Sequence, residues 1–309
     1  MEPVSPKHIY DKFLRFAAQK AAATSNPADV AEGLMVSIRA DATRFLRIDK
    51  PTGGGRFDLF LERLKSLDLL VFQPFLFELM ARLEHRPEAL DQAAAAIESY
   101  LVRRMICGMQ TRSYGTLSLK LLRTLRDADG SDIADLIKGQ LLALEGTDEW
   151  PSDEAFRREW TRRQFYGYFR RERVLMILRA LEHHYQSRNG KAEPLMTFDW
   201  SQLQIEHILP QTWQPNWPLP PEVSPDERKA NLQGIGNLTL VSQALNPSLS
   251  NAAWAGTDMK PGKRDALNKY AIMQMNRRLL DQFGEGWSDV AIKRRAEALF
   301  EDARVIWQR

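Results

Sequence analysis

The 309-residue chain has a single cysteine, no long apolar run and almost no excess of charge. One cysteine, Cys107, excludes an internal disulfide framework and any zinc site built from several thiolates. No stretch approaches the roughly 20 apolar residues that a membrane-spanning helix requires. The first residues, MEPVSPKHIYDKF, lack the charged start and apolar block of an export signal. We therefore predict a cytoplasmic protein with no membrane partner.

The formal net charge of +3 is too small to predict a nucleic-acid partner by itself. The sequence also lacks a glycine-rich loop ending in Gly-Lys-Ser or Gly-Lys-Thr, which would predict a nucleotide phosphate site. What is present is a hydrophobic fraction of 44%, which is ordinary for a folded globular protein. The length allows two domains.

Helical patterns fill most of the first 190 residues. Asn26-Pro27 has the form of an N-cap followed by proline at the first helical position. The segment from Pro87 to Gly108 predicts a helix that ends in a left-handed glycine cap. A single helix is also predicted from Ser152 to about His184.

Residues 187–194, SRNGKAEP, interrupt this pattern with Asn-Gly and proline. We therefore predict a helical domain at 1–190 and a second domain at 191–309. Within the second domain, QIEHILP at 204–210 and GNLTLV at 236–241 predict two short strands around a proline-rich loop. Helical periodicity returns from about residue 249. The expected fold class is mainly α, with a small β component (α+β).

Four polar residues mark the ends of these strands and the segment after them: Glu206, His207, Asn237 and Asn246. A strand, a loop, a second strand and a helix would bring them together over one cleft. A hard cation such as Mg²⁺ or Mn²⁺ needs only one or two protein oxygen ligands, which Glu206 and Asn246 would provide. His207 would take a proton from a water that attacks phosphorus, because its unperturbed pKa is near 6.5. Asn237 would support the imidazole through a ring nitrogen or a backbone carbonyl.

Each of these residues also has a purely structural interpretation. Asn237 follows Gly236 and would suit a turn. Asn246 precedes proline and would suit a helix N-cap. Asn251 lies on the same segment and is an alternative metal ligand.

The motifs IEHILPQ and GIGNLTLVSQALNPSLSN, followed by a basic stretch, resemble the HNH (His-Me finger) nuclease unit of GmrSD-type modification-dependent restriction endonucleases. The resemblance covers about 196–309 and extends more loosely to 60–125. It implies a ββα-metal core embedded in helices, with His207 as general base, Asn237 as its support and Glu206 and Asn246 as metal ligands. The phosphate-facing lysine of the family would be Lys260 or Lys263.

The resemblance also implies an activity and a setting. The activity is endonucleolytic hydrolysis of DNA in a prokaryotic restriction system that defends against foreign or modified phage DNA. Full-length relatives carry an N-terminal sensing and nucleotide-using domain. Nothing in this chain resembles that domain, so we expect it to be missing from the chain or to be a separate polypeptide.

A second candidate surface is the arginine-rich segment FRREWTRRQFYGYFRRER at 156–173. On a helix, its arginines would form a DNA-contacting stripe backed by aromatic residues, or simply a solvated face. Arg103-Arg104 is expected to be a solvated pair. The residues predicted to contact DNA are Arg158, Arg162, Arg163, Arg170, Arg171, Arg294 and Arg295.

Two alternatives to a nuclease remain open. One is a DNA-binding module whose nuclease centre is inactive or depends on a partner. The other is a helical interaction protein in which the His-Asn set is only structural.

Overall fold

The computed structural model of the chain describes residues 6–52, 54–128, 132–188, 199–245, 251–257, 260–270 and 272–309. It is 69% helical and contains a small two-stranded sheet. The predicted fold class, mainly α with a small β component, is therefore confirmed. Within the described ranges, no helix combines the length and the apolar character needed to cross a membrane.

Among the described residues, eight α-helices lie before residue 163, and local signals account for several of their ends. The side chain of Asn26 accepts a hydrogen bond from the Ala28 amide at 3.2 Å, as expected for an N-cap before Pro27. Gly108 has a φ of 70°, so the predicted left-handed residue follows the helix that begins at Pro87. The helices are α1 (Ile9–Ala22), α2 (Pro27–Asp49), α3 (Arg56–Leu67), α4 (Gln73–Arg82), α5 (Pro87–Ile106), α6 (Tyr114–Asp127), α7 (Ile133–Leu142) and α8 (Asp153–Arg162).

The predicted single helix from Ser152 to about His184 is wrong. Helix α8 ends at Arg162, a single turn α9 (Phe165–Tyr168) follows, and α10 (Arg171–Arg188) begins after it. Inside α9, Gly167 has a φ of 86°, a left-handed conformation that glycine adopts without steric cost. The break points Phe165 and Phe169 into the core, where their rings pack 5.4 Å apart.

From residue 199 onward, the described residues form the small sheet and four helices. Strand β1 (Leu203–His207) pairs antiparallel with β2 (Leu238–Ser242), so both predicted strands are confirmed. In their register, Glu206 lies opposite Thr239 and His207 opposite Leu238. The helix that would complete a ββα unit stays a prediction, because residues 246–250 lie outside the described ones. The helices are α11 (Pro225–Gln233), α12 (Lys263–Tyr270), α13 (Gln274–Phe283) and α14 (Asp289–Ile306).

The larger hydrophobic core draws on both sides of the predicted domain boundary. It includes Phe57 and Phe75 from the first helices as well as Phe300 and Trp307 near the last residues. The indole of Trp307 donates a hydrogen bond to Glu98 at 2.8 Å, and the backbone carbonyl of Trp307 accepts one from Arg103. The boundary itself falls within 189–198, outside the described residues, so the division into two domains stays a prediction.

Arg103 and Arg104 are fully buried, and the prediction that they form a solvated pair is wrong. Arg103 donates to the carbonyls of Trp307 and Pro151. Arg104 donates to backbone carbonyls of the segment around Thr147. Each guanidinium therefore satisfies backbone acceptors that would otherwise be unpaired inside the protein.

A smaller hydrophobic core lies beside the sheet and holds the segment after β1 in place. Ile208, Leu209, Val241 and Trp287 belong to it. Gly236, just before β2, lies so close to α14 that an added Cβ would come within 2.1 Å of the Ile292 carbonyl oxygen. Only glycine permits this approach, which fixes the position of β2 against α14.

Candidate active site

The end of β1 places Glu206 and His207 in different surroundings. Adjacent side chains of a strand point to opposite faces of a sheet. The carboxylate of Glu206 accordingly meets Lys263 at the start of α12, whereas the ring of His207 lies against α9 and the end of α11.

The ring of His207 is held by two neighbours and is only 8% exposed. Its Nε2 lies 3.1 Å from Oε1 of Gln233, the last residue of α11. The ring of Tyr166 packs edge-to-face against it, with centroids 4.6 Å apart. Burial lowers the pKa of His207, the charge of Lys263 lowers it further, and the hydrogen bond to Gln233 opposes both. The imidazole is therefore neutral near pH 7, which is the form that accepts a proton.

Glu206 forms a buried ion pair with Lys263. The Lys263 ammonium lies 2.7 Å from Oε1 of Glu206 and 2.7 Å from the backbone oxygen of His207. Burial raises the pKa of Glu206 and lowers the pKa of Lys263, and in each case the opposite charge of the partner counteracts the shift. Lys263 is 1% exposed, so its ammonium lies inside the protein on Glu206 and does not face a phosphate group in solvent.

Asn237 is completely buried and supports the chain directly after His207. Its Oδ1 accepts from the Leu209 amide at 2.8 Å and from the Trp287 indole at 3.2 Å. Its Nδ2 donates to the carbonyls of Leu209 and Leu232. Its backbone oxygen accepts from the amide of Ile208 at 3.0 Å. These bonds go to the backbone beside His207, so Asn237 acts on the histidine through the main chain.

The remaining predicted residues of the site lie further along the chain. Asn246 falls outside the described residues. Asn251 is exposed, and its carbonyl accepts from the Asn216 side chain at 2.7 Å. Lys260 is exposed, in a short backbone bridge with Thr257. The structure thus brings together Glu206, His207 and Asn237.

The described part of the chain contains no group of three or more histidine, cysteine, aspartate or glutamate residues that could hold a metal. Glu206 provides one carboxylate, and the second predicted ligand, Asn246, lies outside the described residues. A Mg²⁺ ion keeps several waters and takes as few as one or two protein carboxylates. The Glu206 carboxylate is already paired with the cation of Lys263, so a metal site here stays a prediction.

An open cleft of about 760 Å³ adjoins His207. Two of its lining residues, Tyr166 and Gln233, are the same two that contact the imidazole. The cleft and the histidine ring therefore share Tyr166 and Gln233 as neighbours, and His207 itself does not line the cleft. Its lining residues are Glu159, Arg162, Arg163, Gln164, Tyr166, Gly167, Tyr168 and Gln233.

The arginines of the 156–173 segment are divided by the break at α9. Arg162 is exposed on the cleft wall. Arg163 is partly buried, bonded to Glu159 at 2.6 Å and stacked over the Tyr168 ring. Arg158 is exposed beside Glu159, and α10 begins with two more exposed cations, Arg170 immediately before it and Arg171 as its first residue.

The two arginines of α14 differ sharply in exposure. Arg294 is exposed, with its guanidinium over the Phe283 ring. Arg295 is 3% exposed and donates to the carbonyls of Gly236 and Leu238 at 2.7 and 2.8 Å. Burial lowers the pKa of Arg295 to about 10, so it remains a cation at neutral pH. Its guanidinium holds the start of β2 and does not reach solvent, contrary to the predicted DNA contact.

Residues 150–302 match the family model described as GmrSD restriction endonucleases, C-terminal domain. These residues belong to that family. The match runs from α8 into α14 and includes the His207 region, the arginine-bearing segment and the cleft. The chain thus carries a nuclease domain of a restriction system. No curated protein and no solved structure matches the chain.

Two residues of the GmrSD domain's candidate site were not predicted from the sequence, Gln233 and Tyr166. Gln233 ends a helix just before the GIGN turn, and nothing in its spacing distinguishes it from other glutamines. Tyr166 appeared only as one of several aromatics in a supposed helix. Its contact with His207 depends on the break at Gly167.

Proposed function

We propose that the GmrSD domain hydrolyses phosphodiester bonds of DNA, with His207 as general base and Mg²⁺ or Mn²⁺ as cofactor. The observation that carries this proposal is a neutral imidazole whose two contacts, Tyr166 and Gln233, line an arginine-bearing cleft. A base of this kind typically contributes a factor of ~10² to 10⁴ to the rate. The nuclease class proposed is the HNH (His-Me finger) type.

The residues of the cleft have defined tasks in this mechanism. Arg162, exposed on the cleft wall, binds a backbone phosphate of the DNA. Oε1 of Gln233 is an acceptor, so the imidazole proton stays on Nε2 and leaves Nδ1 to take a proton. The attacking water transfers a proton to Nδ1 of His207 while the oxygen of the water bonds to phosphorus. The bond from phosphorus to the departing ester oxygen then breaks, and that oxygen is protonated from solvent.

Glu206 and Asn246 would hold the metal ion, with waters and phosphate oxygens completing its ligands. When bound, the ion stabilises the negative charge that develops on the phosphate and the departing oxygen. Asn251 and Lys260 remain alternative contacts of this region. Asn237 keeps its supporting task, through the backbone bonds that fix Ile208 and Leu209.

The biological setting that we propose is defence of a prokaryotic cell against foreign DNA, with modified phage DNA as the target. The support is the family match at residues 150–302. A sensing, nucleotide-using domain would cooperate with this chain in the cytoplasm, either upstream in a longer protein or as a separate polypeptide.

The test is cleavage of a supercoiled plasmid by the whole chain with Mg²⁺, Mn²⁺ or EDTA. We expect nicked or linear product with metal and none with EDTA. His207→Ala is expected to reduce the rate at least ~100-fold. The matched control is His85→Ala, since His85 is exposed and outside the family match. Full activity of a folded His207→Ala protein would remove His207 from the mechanism.

A second candidate function is DNA binding by a domain whose nuclease centre needs a partner. The ion pair between Lys263 and Glu206 favours it, because the lysine already neutralises the proposed metal ligand. This alternative predicts no cleavage, with DNA affinity that falls steeply as salt rises. Gel-shift titrations at several salt concentrations measure this affinity. If DNA binding is the function, His207→Ala leaves the affinity for DNA unchanged.

A further inference from the structure

The first two helices expose an unusual amount of apolar surface. Helices α1 and α2 pack against each other and are joined by residues 23–26. The described residues expose 21 large apolar side chains, and ten of them lie on these two helices. We call these two helices the N-terminal hairpin.

Helix α1 buries no residue. It has 14 residues, a length at which an isolated helix is marginal in water. Its exposed apolar residues recur along one stripe at helical spacing and are between 38% and 71% exposed. A helix of this kind gains its stability only when another surface covers the stripe. The exposed residues are Ile9, Tyr10, Phe13, Leu14 and Phe16.

Helix α2 repeats the pattern over a longer span. Of its 23 residues only Ile48 is buried, near the end that meets the rest of the protein. Met35, Ile38 and Phe45 stand at i, i+3 and i+10, which places them on one face. The five exposed apolar residues of α2 are Met35, Val36, Ile38, Phe45 and Leu46.

The exposed area is close to what one partner contributes to a stable dimer. A fully buried aromatic side chain covers roughly 150–250 Å². Four of the ten exposed side chains are aromatic and offer on the order of 400 Å² at about half exposure. The six aliphatic side chains add to this area, and the total approaches the roughly 800 Å² that each partner buries in a standard protein interface.

Exposed basic residues of α1 and exposed acidic residues of α2 have complementary charges. Helix α1 carries Lys12 and Arg15 exposed, and neither has a carboxylate within 4.0 Å among the residues that the structure describes. The first turns of α2 carry Asp29 and Glu32, also exposed and, within the same described ranges, also without a cation at ion-pair distance. In a two-fold dimer, α1 of one copy faces α2 of the other, and the same contact occurs twice.

We propose that the N-terminal hairpin pairs with the hairpin of a second copy of this chain, to form a four-helix bundle. The unpaired acids of α2 argue against the alternative of an anionic membrane, which attracts helices with a basic polar face. This pairing does not depend on the nuclease proposal.

The first test measures the mass of the whole chain by light scattering at micromolar concentrations. We expect a dimer for the native sequence and a monomer for Phe13→Glu/Ile38→Glu. The matched control is Val305→Glu, because Val305 is 56% exposed on α14 and should leave the dimer intact. A monomeric native chain, or a dimer that survives both hairpin substitutions, would overturn the proposal. Sedimentation of monomers with vesicles of anionic phospholipid would also overturn it, in favour of a membrane surface.

The second test uses charge complementation and requires no loss of apolar residues. A chain with Lys12→Glu/Arg15→Glu has two acidic helices, and a chain with Asp29→Lys/Glu32→Lys has two basic ones. Each alone should dimerise at least ten-fold more weakly than the native chain, whereas an equal mixture should form a one-to-one heterodimer. Circular dichroism of each variant verifies its helical content. A mixture that stays monomeric while the native chain dimerises would show that these charges do not face each other.

Discussion

At the scale of single residues, the contact between Gln233 and His207 determines how the imidazole is used. The side-chain oxygen of Gln233 accepts from Nε2 and stabilises the protonated ring, so it raises a pKa that burial and Lys263 lower. The net direction is a pKa below 6.5. A reaction that requires the neutral ring is then retained as the pH falls through 6.5 and is lost only at lower pH.

We predict that the acid limb of the cleavage rate lies below pH 6.5 and moves in opposite directions in two variants. Gln233→Leu removes the acceptor, so the limb moves to lower pH, and the rate falls about ten-fold because the ring loses its orientation. Gln233→Glu adds a negative charge, so the limb moves to higher pH. The measurement is the rate of plasmid cleavage between pH 4.5 and 8.5. A purely structural glutamine would lower the rate in both variants without moving the limb.

The sequence predicted the two strands, and the structure places His207 at the end of β1 and Asn237 directly before β2. The tasks proposed for the two residues stay predictions. The sequence was not sufficient for the partners of Lys263 and Arg295. In a sequence, a buried lysine or arginine cannot be told from a surface one. Its burial depends on which distant carboxylate or carbonyl accepts its hydrogen bonds. Here those acceptors are Glu206, 57 positions before Lys263, and Gly236, 59 positions before Arg295.

At the scale of secondary-structure elements, the site depends on the contact between β2 and α14. Gly236 touches the backbone of Ile292, and Arg295 binds the carbonyls on either side of Asn237. The start of β2 is therefore held by a helix that lies more than 50 positions later in the chain. Sequence patterns predicted both strands but not this packing. The break at Gly167 was also missed, because the sequence around it has the pattern of one continuous helix.

We predict opposite effects on stability for two glycine-to-alanine substitutions. Gly236→Ala should lower the free energy of unfolding by ~1–3 kcal/mol, because the new methyl group overlaps the Ile292 carbonyl. Gly139→Ala should raise it by ~0.5–1 kcal/mol, since Gly139 lies inside α7 with nothing within 4 Å of an added Cβ. Urea unfolding curves measure both. Equal effects of the two substitutions would contradict the close packing of β2 on α14.

At the scale of the whole molecule, the larger core joins the first helices to the last one. Phe57, Tyr100 and Phe156 share it with Phe300 and Trp307. The ion pairs of Glu98 with Arg56 and Arg63 lie beside the Trp307 indole. Elements that share one core unfold together.

We predict that Trp307→Ala destabilises the whole of residues 54–309 and not only the C-terminal helix. The loss should be ~3–5 kcal/mol, the usual cost of removing a fully buried tryptophan. Val305→Ala is the control, because Val305 is 56% exposed on the same helix. Helical circular dichroism and tryptophan fluorescence should report one coincident transition that shifts in the variant. Two separate transitions, with only one of them shifted, would show that the halves are independent.

The shared core restricts how proteins of this kind exchange parts by recombination. A crossover near residue 190 would combine Phe57 and Tyr100 from one parent with Phe300 and Trp307 from another, and the two surfaces would fit poorly. A crossover near residue 50 would transfer only the N-terminal hairpin, which contributes Ile48 to that core. Functional chimeras should therefore be recovered at the second position and seldom at the first.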